Sequence, residues 1–368
     1  MHVLGGGKGE SIVLKLPDGQ WGVVDCHSES VTDPDANPTT QFLRSRGVKT
    51  LLFVCLTHPH DDHFLGMVKL IEEFQPREFW RFGALSPVHI KSLLKYNELR
   101  AKKASARKQE ELTRSATELF ELFRIAREAA NRRTMRVCRL GSRMPLYPLL
   151  MDPPQTYHIE CVSPTGRQVE RYEGAVLDCI APDNTIAKKL PRSQHNDISV
   201  VLKIVYGKTQ IILGGDLEKG GWEDVVAEYG GANLKASAVK VSHHGSENGY
   251  CDGLWDSFAR GGRPIAVIAP RHRYKLPKEK ALDHIFQNAE VILTTCKPRI
   301  EWSMPRVPGR LRPSLEDRMT LRNQLSAVPV ATGTPCGRCS LGFDDNGNVV
   351  RFELIKPAVS LNRNPPAF

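Results

Sequence analysis

The richest group of metal-binding side chains in this sequence is Thr57-His58-Pro59-His60-Asp61-Asp62-His63, which contains the pattern H-x-H-x-D-H. Imidazole and carboxylate are natural ligands of a borderline divalent ion such as zinc. Alternation along an extended loop sends His58 and His60 to the same side, toward one metal ion. Asp62 and His63 can then turn toward a second ion a few ångströms away, as in two-metal hydrolysis. The segment therefore predicts a dinuclear metal site.

The cluster lies between a predicted buried strand and a predicted helix. Leu51–Leu56 is an uninterrupted apolar run, and Phe64, Val68 and Ile71 recur at helical spacing. This order places the cluster at the C-terminal end of a strand, where α/β proteins usually carry chemistry. The alternative is a polar loop that is rich in histidine by chance, and the rarity of four matching positions disfavours it.

H-x-H-x-D-H after a buried strand resembles the motif of the metallo-β-lactamase superfamily. The run from Gly5 to Ile12, followed by Gly22-Val23-Val24-Asp25, is similar to the opening hairpin of that family. Three segments narrow the resemblance to the hydrolase domain of ComEC-type competence proteins and their soluble relatives: Asn196-x-x-Ser199-Val200-Val201-Leu202, Leu213-Gly214-Gly215-Asp216 and Lys240-Val241-Ser242-His243-His244-Gly245-Ser246. Order and rough spacing match from residue 5 to about residue 295. The resemblance implies an α/β protein with the metallo-β-lactamase αββα sandwich, whose hydrolase domain is residues 1–295.

The resemblance also implies the ligands that the first motif does not supply. Asp216 corresponds to the carboxylate that bridges both metal ions, and the alternative is an aspartate that closes a hairpin turn. His195 lies four residues before Ser199, where many superfamily members place the third histidine of the first metal site. The alternative there is a surface histidine. Asp25 resembles an aspartate that supports the metal loop by hydrogen bonding to it.

Two adjacent histidines, His243 and His244, complete the implied site. One is expected to bind the second metal ion, and the other to contact the substrate or donate a proton to the leaving group. His243 is the favoured ligand, and both are expected to be catalytic together with Asp62. The chain departs from its relatives at Tyr274-Lys275-Leu276-Pro277, where they carry Tyr-Gly-His-Pro. That departure removes a histidine that could bind metal or substrate.

The net charge of +10 is concentrated in one segment. Between Lys91 and Arg143 there are 15 Lys and Arg against 6 Glu. Clustered cations bind phosphates through counterion release, so this segment predicts a nucleic acid or nucleotide as partner. The alternative is a solvated helix face.

The same segment predicts a helical insertion of about residues 86–143 within the hydrolase domain. Apolar residues fall on one helical face at Leu112, Ala116, Leu119, Phe120 and Phe123. Residues 296–368 are expected to form a C-terminal extension that packs on the main domain. Its expected feature is a β-hairpin that turns at 344–348.

Composition excludes several classes of protein. No apolar run approaches the roughly 20 residues that cross a bilayer, and the N-terminus does not resemble a secretory signal, so a cytoplasmic protein without membrane contact is expected. The nine cysteines are an odd number without a repeating pattern, which favours reduced thiols. Cys336 and Cys339 form a close pair, but no second pair completes a zinc site.

The sequence therefore predicts a metal-dependent hydrolase in which two divalent ions, zinc or manganese, activate a water molecule. Phosphodiesters are the favoured substrates, which would make the protein a nuclease or a nucleotide phosphodiesterase. One alternative is hydrolysis of a lactone, thioester or small ester. Another is a non-catalytic nucleic-acid-binding module that retains the fold.

Overall fold

The computed structural model describes residues 1–83, 106–148, 157–179, 192–300, 302 and 336–361. In these residues, two mixed β-sheets of eight strands each face one another, and helices cover their outer faces. This layering confirms the predicted αββα sandwich.

The first sheet combines the N-terminal strands with a hairpin from the far end of the chain. Its strands are β1 (His2–Gly5), β2 (Ser11–Lys15), β3 (Trp21–Val24), β4 (Phe53–Leu56), β5 (Glu78–Phe82), β6 (Arg136–Leu140), β14 (Gly337–Phe343) and β15 (Val349–Ile355). Their order is β15-β14-β1-β2-β3-β4-β5-β6. The run from β3 to β6 is parallel, and the other pairs are antiparallel. All four residues of β4 are apolar and buried, as expected of a parallel strand covered on both faces.

The second sheet has a similar arrangement. Its strands are β7 (Met144–Tyr147), β8 (Tyr157–Ser163), β9 (Val201–Tyr206), β10 (Thr209–Leu213), β11 (Ala238–Lys240), β12 (Ile265–Ile268), β13 (Val291–Thr294) and β16 (Val359–Ser360). Their order is β16-β13-β12-β11-β10-β9-β8-β7, with a parallel run from β10 to β13. The predicted β9–β10 hairpin is present and is antiparallel.

Helices form the two outer layers. They are α1 (Pro38–Ser45), α2 (Asp61–Phe64), α3 (Met67–Phe74), α4 (Ala106–Asn131), α5 (Gly166–Leu177), α6 (Arg192–Asp197), α7 (Lys219–Tyr229), α8 (Leu254–Phe258) and α9 (Glu279–Asn288). Single 3₁₀ turns cover Pro34–Ala36, Gly231–Leu234, Ser242–Gly245, Glu247–Gly249 and His272–Tyr274. Local sequence sets several helix starts: the Thr165 side chain accepts from the backbone N–H of Gln168 and forms a capping box at the start of α5.

Two hydrophobic cores hold the layers together. The larger core joins the sheets, with Phe53 from the first and Leu202 and Val267 from the second. The smaller core lies on the outer face of the second sheet, where Trp222 and Phe258 pack edge to face with ring centroids 5.8 Å apart. Burial of such aromatic side chains is the main favourable contribution to packing of these helices.

The predicted insertion at 86–143 contains part of the first sheet. Helix α4 joins the neighbouring parallel strands β5 and β6, so it is the crossover helix that a parallel pair requires. Ala116 and Leu119 of the predicted apolar face are buried, whereas Phe120 is 50% exposed. The basic residues from Lys91 to Lys103 lie outside the described residues.

The expected C-terminal hairpin is formed by β14 and β15. Its turn is closed where the backbone N–H of Asp344 donates to the Asn348 carbonyl at 3.0 Å. Strand β14 pairs with β1, and β16 pairs with β13, so this part of the chain extends both sheets. Among the described residues, no helix is both long and apolar enough to span a membrane.

Candidate metal centre

The side chains of the H-x-H-x-D-H segment lie at the C-terminal end of β4, where loops of the two sheets meet in a region that we call the cleft. Asp216 follows β10 and His244 follows β11, so both approach the cleft from the second sheet. Backbone hydrogen bonds join the loops: Val200 N–H donates to the Thr57 carbonyl at 3.1 Å, and Glu10 N–H donates to the Asp62 carbonyl at 3.2 Å. The site therefore forms only when the two sheets are packed together.

Two groups of potential ligands share Asp216. The first contains His58, His60 and Asp216, and the second contains Asp62, His63, Asp216 and His244. In each group, one ligand atom per residue lies within 4.8 Å of every other, and all of these residues are buried. The Asp216 Oδ2 atom is 3.7 Å from His58 Nε2 and 3.4 Å from His63 Nε2. Asp216 therefore lies beside both groups, and its role as a bridging ligand stays a prediction.

Hydrogen bonds determine which nitrogen of the second-group histidines faces the cleft. His63 Nδ1 is 2.6 Å from Asp25 Oδ2, and His244 Nδ1 is 2.9 Å from the Ala269 carbonyl. Because a carboxylate and a carbonyl only accept, each Nδ1 carries the proton. The Nε2 of each ring then points toward Asp216, where it could bind a metal ion after losing any proton that it carries.

His58 is held by the same principle through Thr57. The Thr57 hydroxyl donates to Asp25 Oδ2 at 2.8 Å, so its oxygen accepts from His58 Nδ1 at 3.0 Å. Asp25 also accepts from Thr57 N–H at 2.9 Å and is fully buried. Asp25 thus fixes two of the histidines, His63 directly and His58 through Thr57.

The unpaired atoms and the electrostatics of this cluster fit a bound cation. Among the described residues, the buried His63 Nε2 and Asp216 Oδ1 atoms have no hydrogen-bond partner. Burial would lower the pKa of His244, but the carboxylates of Asp216, Asp62 and Glu10 raise it to about 9. Burial likewise opposes a charged His63, but Asp216, Asp25 and Asp62 hold its pKa well above the usual value. The site therefore favours positive charge, and its oxygen and nitrogen donors suit divalent metal ions.

His195 lies beside the first group. Its ring centroid is 5.6 Å from that of His60, and its Nδ1 is 2.8 Å from the Tyr172 hydroxyl on α5. Both side chains are buried. The structure brings His195 next to the first group without including it in the three-residue cluster, so its role as a ligand stays a prediction.

The adjacent residues His243 and His244 have different surroundings. Both have left-handed backbone conformations, with φ values of 47° and 54°. His244 joins the second group, whereas His243 Nδ1 lies 3.4 Å from Glu218 Oε1 and its Nε2 lies 3.5 Å from Asn196 Nδ2. The ligand favoured from sequence was His243, but the geometry places His244 in that position. His243 remains partly exposed at the edge of the cleft.

Three charged residues beside the site were not identified from sequence. Arg271 follows β12, and its Nη1 lies 2.7 Å from Asp62 Oδ2. Glu10 and Lys240 form a fully buried ion pair behind His244. Glu10 and Lys240 lie within the motif segments, next to apolar strand residues. A charged residue in such a place could have been identified from sequence as a residue near the site. Arg271 has no such signal.

The positions outside these groups behave differently. Leu276 is buried, and its backbone pairs with Arg271, so the expected histidine has an apolar replacement there. Cys296 Sγ lies 3.5 Å from His272 Nε2. No third ligand atom completes a metal cluster with them, or with Cys336 and Cys339, within the described residues.

No protein-family model matches this chain. Among curated proteins it is similar to ComE operon protein 3 from Bacillus subtilis (strain 168), with 31% identity over 131 residues. That match covers 35% of this chain and only 15% of the length of the Bacillus protein.

Solved structures with similar folds share little sequence with this chain. A metallo-β-lactamase from Cronobacter sakazakii, a HARLDQ motif mutant, is 11% identical, with 70% of this chain and 81% of that chain covered and a TM-score of 0.32. Zn²⁺-bound PqqB from Methylobacterium extorquens is 13% identical over 72% of this chain and 88% of that one, with a TM-score of 0.35. The Rm3 metallo-β-lactamase is 8% identical over 68% and 76% of the two chains, with a TM-score of 0.31. Because these identities are low, we assign the fold from this chain's own architecture, which is a pair of sheets with helices on both outer faces.

Proposed function

We propose that this chain is a metal-dependent hydrolase with a dinuclear centre and that its substrates are phosphodiesters. The observation that carries the proposal is the pair of buried ligand groups that share Asp216. His58, His60 and Asp216 would hold one divalent ion, zinc or manganese, with His195 beside them. Asp62, His63, His244 and Asp216 would hold the other.

When bound, such ions lower the pKa of a water molecule toward neutrality and polarise the group under attack. The protein residues favour the orientation that turns Nε2 toward a metal ion, because Asp25 and the Ala269 carbonyl hold one proton of His63 and of His244 on Nδ1. Burial of the ligands in the cleft strengthens the electrostatic interactions that they make.

His243 is the residue that the geometry favours as proton donor to the leaving group. It is outside both ligand groups, and its side chain is 21% exposed, whereas that of His244 is 2% exposed. Glu218 Oε1 lies 3.4 Å from its Nδ1 and can stabilise the protonated ring. Asn196 donates to the same Glu218 oxygen at 2.7 Å and so fixes its position. A partly exposed imidazole beside a carboxylate suits the delivery of a proton to an alkoxide.

The cationic surplus and the ComEC-type motifs support a phosphodiester substrate. Helix α4 itself contains five Lys and Arg and five Glu, so its formal charge is balanced. The surplus of positive charge lies in the segments before and after the helix, at 91–105 and 132–143. Arg136 and Arg143 in the second of these segments pair with Glu78 and Glu228. Nucleic acid or nucleotide binding would therefore depend mainly on residues 91–105 and on Arg133 and Arg139, which are exposed.

The test is a metal-dependent activity screen with zinc and with manganese. Substrates are single- and double-stranded DNA, RNA, bis(p-nitrophenyl) phosphate, and a panel of lactones, thioesters and small esters. Cleavage of any phosphodiester that is lost in Asp62→Ala supports the proposal. Hydrolysis of the esters alone would favour the alternative electrophile, and binding of nucleic acid without turnover would favour a non-catalytic module.

A second variant tests the proton donor. His243→Gln is expected to retain zinc while losing about 10²- to 10⁴-fold in the rate of cleaving a nucleic acid, whose alkoxide leaving group needs a proton. The loss should be much smaller with bis(p-nitrophenyl) phosphate, because nitrophenolate leaves without protonation. Equal losses on both substrates would contradict this role for His243.

A further inference from the structure

A buried ion pair lies directly behind the second ligand group. The Lys240 ammonium contacts Glu10 Oε1, and both side chains have no exposed surface. Glu10 is in the loop between β1 and β2 of the first sheet, and Lys240 is the last residue of β11 in the second sheet. The contact therefore crosses the cleft between the sheets.

Each member of the pair also contacts a segment that carries a candidate ligand. Glu10 Oε2 lies 3.3 Å from His244 Nδ1. Lys240 Nζ donates to the Gly215 carbonyl at 3.3 Å, next to Asp216. Gly215 has a left-handed φ of 51°, so this turn has a specific backbone conformation to maintain.

Stability alone does not explain a pair of this kind. Removing two charges from water costs more than their attraction commonly returns, and apolar replacements of both partners are often neutral or stabilising. Removing one partner is harmful because it leaves a buried charge unpaired. The pair is thus better explained by what it does to the groups that it contacts.

We infer that Glu10 and Lys240 are positioning residues that prepare His244 and Asp216 to bind the second metal ion, an inference that rests on the proposed metal centre. The Glu10 carboxylate lies 3.3 Å from His244 Nδ1, which donates to the Ala269 carbonyl, so its charge helps to hold this proton on Nδ1 and to turn Nε2 toward the metal site. Lys240 pairs with the Glu10 carboxylate in its buried position and anchors the turn before Asp216. Outer groups of this type orient metal ligands and raise their basicity.

A double-mutant comparison separates positioning from structural support. The variants are Glu10→Gln, Lys240→Met and the double variant, each compared with wild type. The free energy of unfolding of the metal-free protein is measured in urea, and zinc affinity is measured by competition with a chromophoric chelator. Both single variants should be destabilised, whereas the double variant should unfold near the wild-type midpoint.

Zinc affinity should not recover in the double variant. Without the carboxylate at residue 10, we expect the weaker-binding zinc ion to be held about 10- to 100-fold less tightly than in wild type. A double variant that has wild-type stability and wild-type zinc affinity would overturn the inference. Failure of wild type to bind zinc would overturn it as well.

The matched control is Glu160→Gln/Lys203→Met. These two residues form a cross-strand ion pair at 3.1 Å between β8 and β9 and touch neither ligand group. Unchanged zinc affinity in this control is the expected result, and a loss equal to that of Glu10→Gln/Lys240→Met would overturn the inference. A wild-type protein that binds zinc but hydrolyses none of the substrates would refute the proposed function alone, and the zinc affinities of the variants would still decide this inference.

Discussion

Asp25 offers the sharpest test of how the metal centre is organised, through the substitution Asp25→Asn. The carboxylate accepts three hydrogen bonds, from Thr57 N–H at 2.9 Å, from the Thr57 hydroxyl at 2.8 Å and from His63 Nδ1 at 2.6 Å. An asparagine of the same shape has one accepting oxygen and one donating amide group. It cannot satisfy all three donors in either orientation.

The two orientations of the new amide have different costs. If its oxygen faces His63, the amide NH₂ faces the Thr57 backbone N–H, which is left unsatisfied at a cost of about 1–3 kcal/mol. If its NH₂ faces His63, the ring must accept at Nδ1, which moves the proton to Nε2 and removes a metal ligand. In both cases His63 loses a charged partner, so zinc affinity should fall about 10- to 100-fold, or about 1.4–2.7 kcal/mol.

The assay measures zinc stoichiometry and affinity by chelator competition, together with urea unfolding of the metal-free protein. Asp25→Asn should weaken the binding of at least one zinc ion and lower the free energy of unfolding by about 1–3 kcal/mol. Asp35→Asn is the control, since this carboxylate is 75% exposed and pairs with Arg44 far from the cleft. Unchanged zinc affinity in Asp25→Asn would refute the proposed hydrogen-bond relay from Asp25 to the ligands.

Three further predictions follow from buried titratable groups. The pKa of His244 is raised to about 9 in the metal-free site, so zinc must displace a proton from this ring when it binds. For each proton displaced, the apparent zinc Kd should fall about tenfold per pH unit between pH 6 and 8. A zinc Kd that does not change with pH would contradict this prediction. Tyr172→Phe removes the hydroxyl beside His195 Nδ1. If His195 is a ligand, the affinity for one zinc ion should fall about 10- to 100-fold, whereas unchanged affinities would show that His195 is not a ligand. Burial lowers the pKa of His2 from 6.5 to about 2, so below pH 6.5 the unfolded chain gains a proton there that the folded chain does not. Between pH 7 and 5, wild type should therefore lose about 2 kcal/mol more stability than His2→Phe in urea unfolding, and equal losses would contradict the assignment.

The site residues that lie close together in the sequence could be predicted from it, whereas the contacts between distant residues could not. His58 to His63 lie within one loop, so their spacing alone predicts two adjacent ligand groups. The choice between His243 and His244 depends on two left-handed backbone conformations, which the sequence does not reveal. Glu10 and Lys240 are 230 residues apart, and only the packing of the two sheets brings them together.

The fold shows the same division. The αββα class was predictable because the motifs and the apolar strands that precede them have a definite order. The segment at 86–143 was predicted as an insertion because its charge and its helical periodicity indicate helix throughout. The short strand Arg136–Leu140 is only partly buried and contains two arginines, so it has no clear strand pattern in the sequence. The pairing of this strand with Glu78–Phe82 makes α4 part of the sandwich.

The pairing of β1 with β14 has a consequence for synthesis of the protein. The outer edge of β1 has its hydrogen-bond partner in Gly337–Phe343, more than three hundred residues later. At about 5–20 residues per second, a ribosome needs roughly 20–70 seconds to make the intervening chain. During that time a buried, mostly apolar strand presents unpaired backbone groups, which is the kind of edge that other chains can join. The nascent protein is therefore exposed to misassembly at β1, and chaperone binding at that edge would protect it until the β14–β15 hairpin has been made.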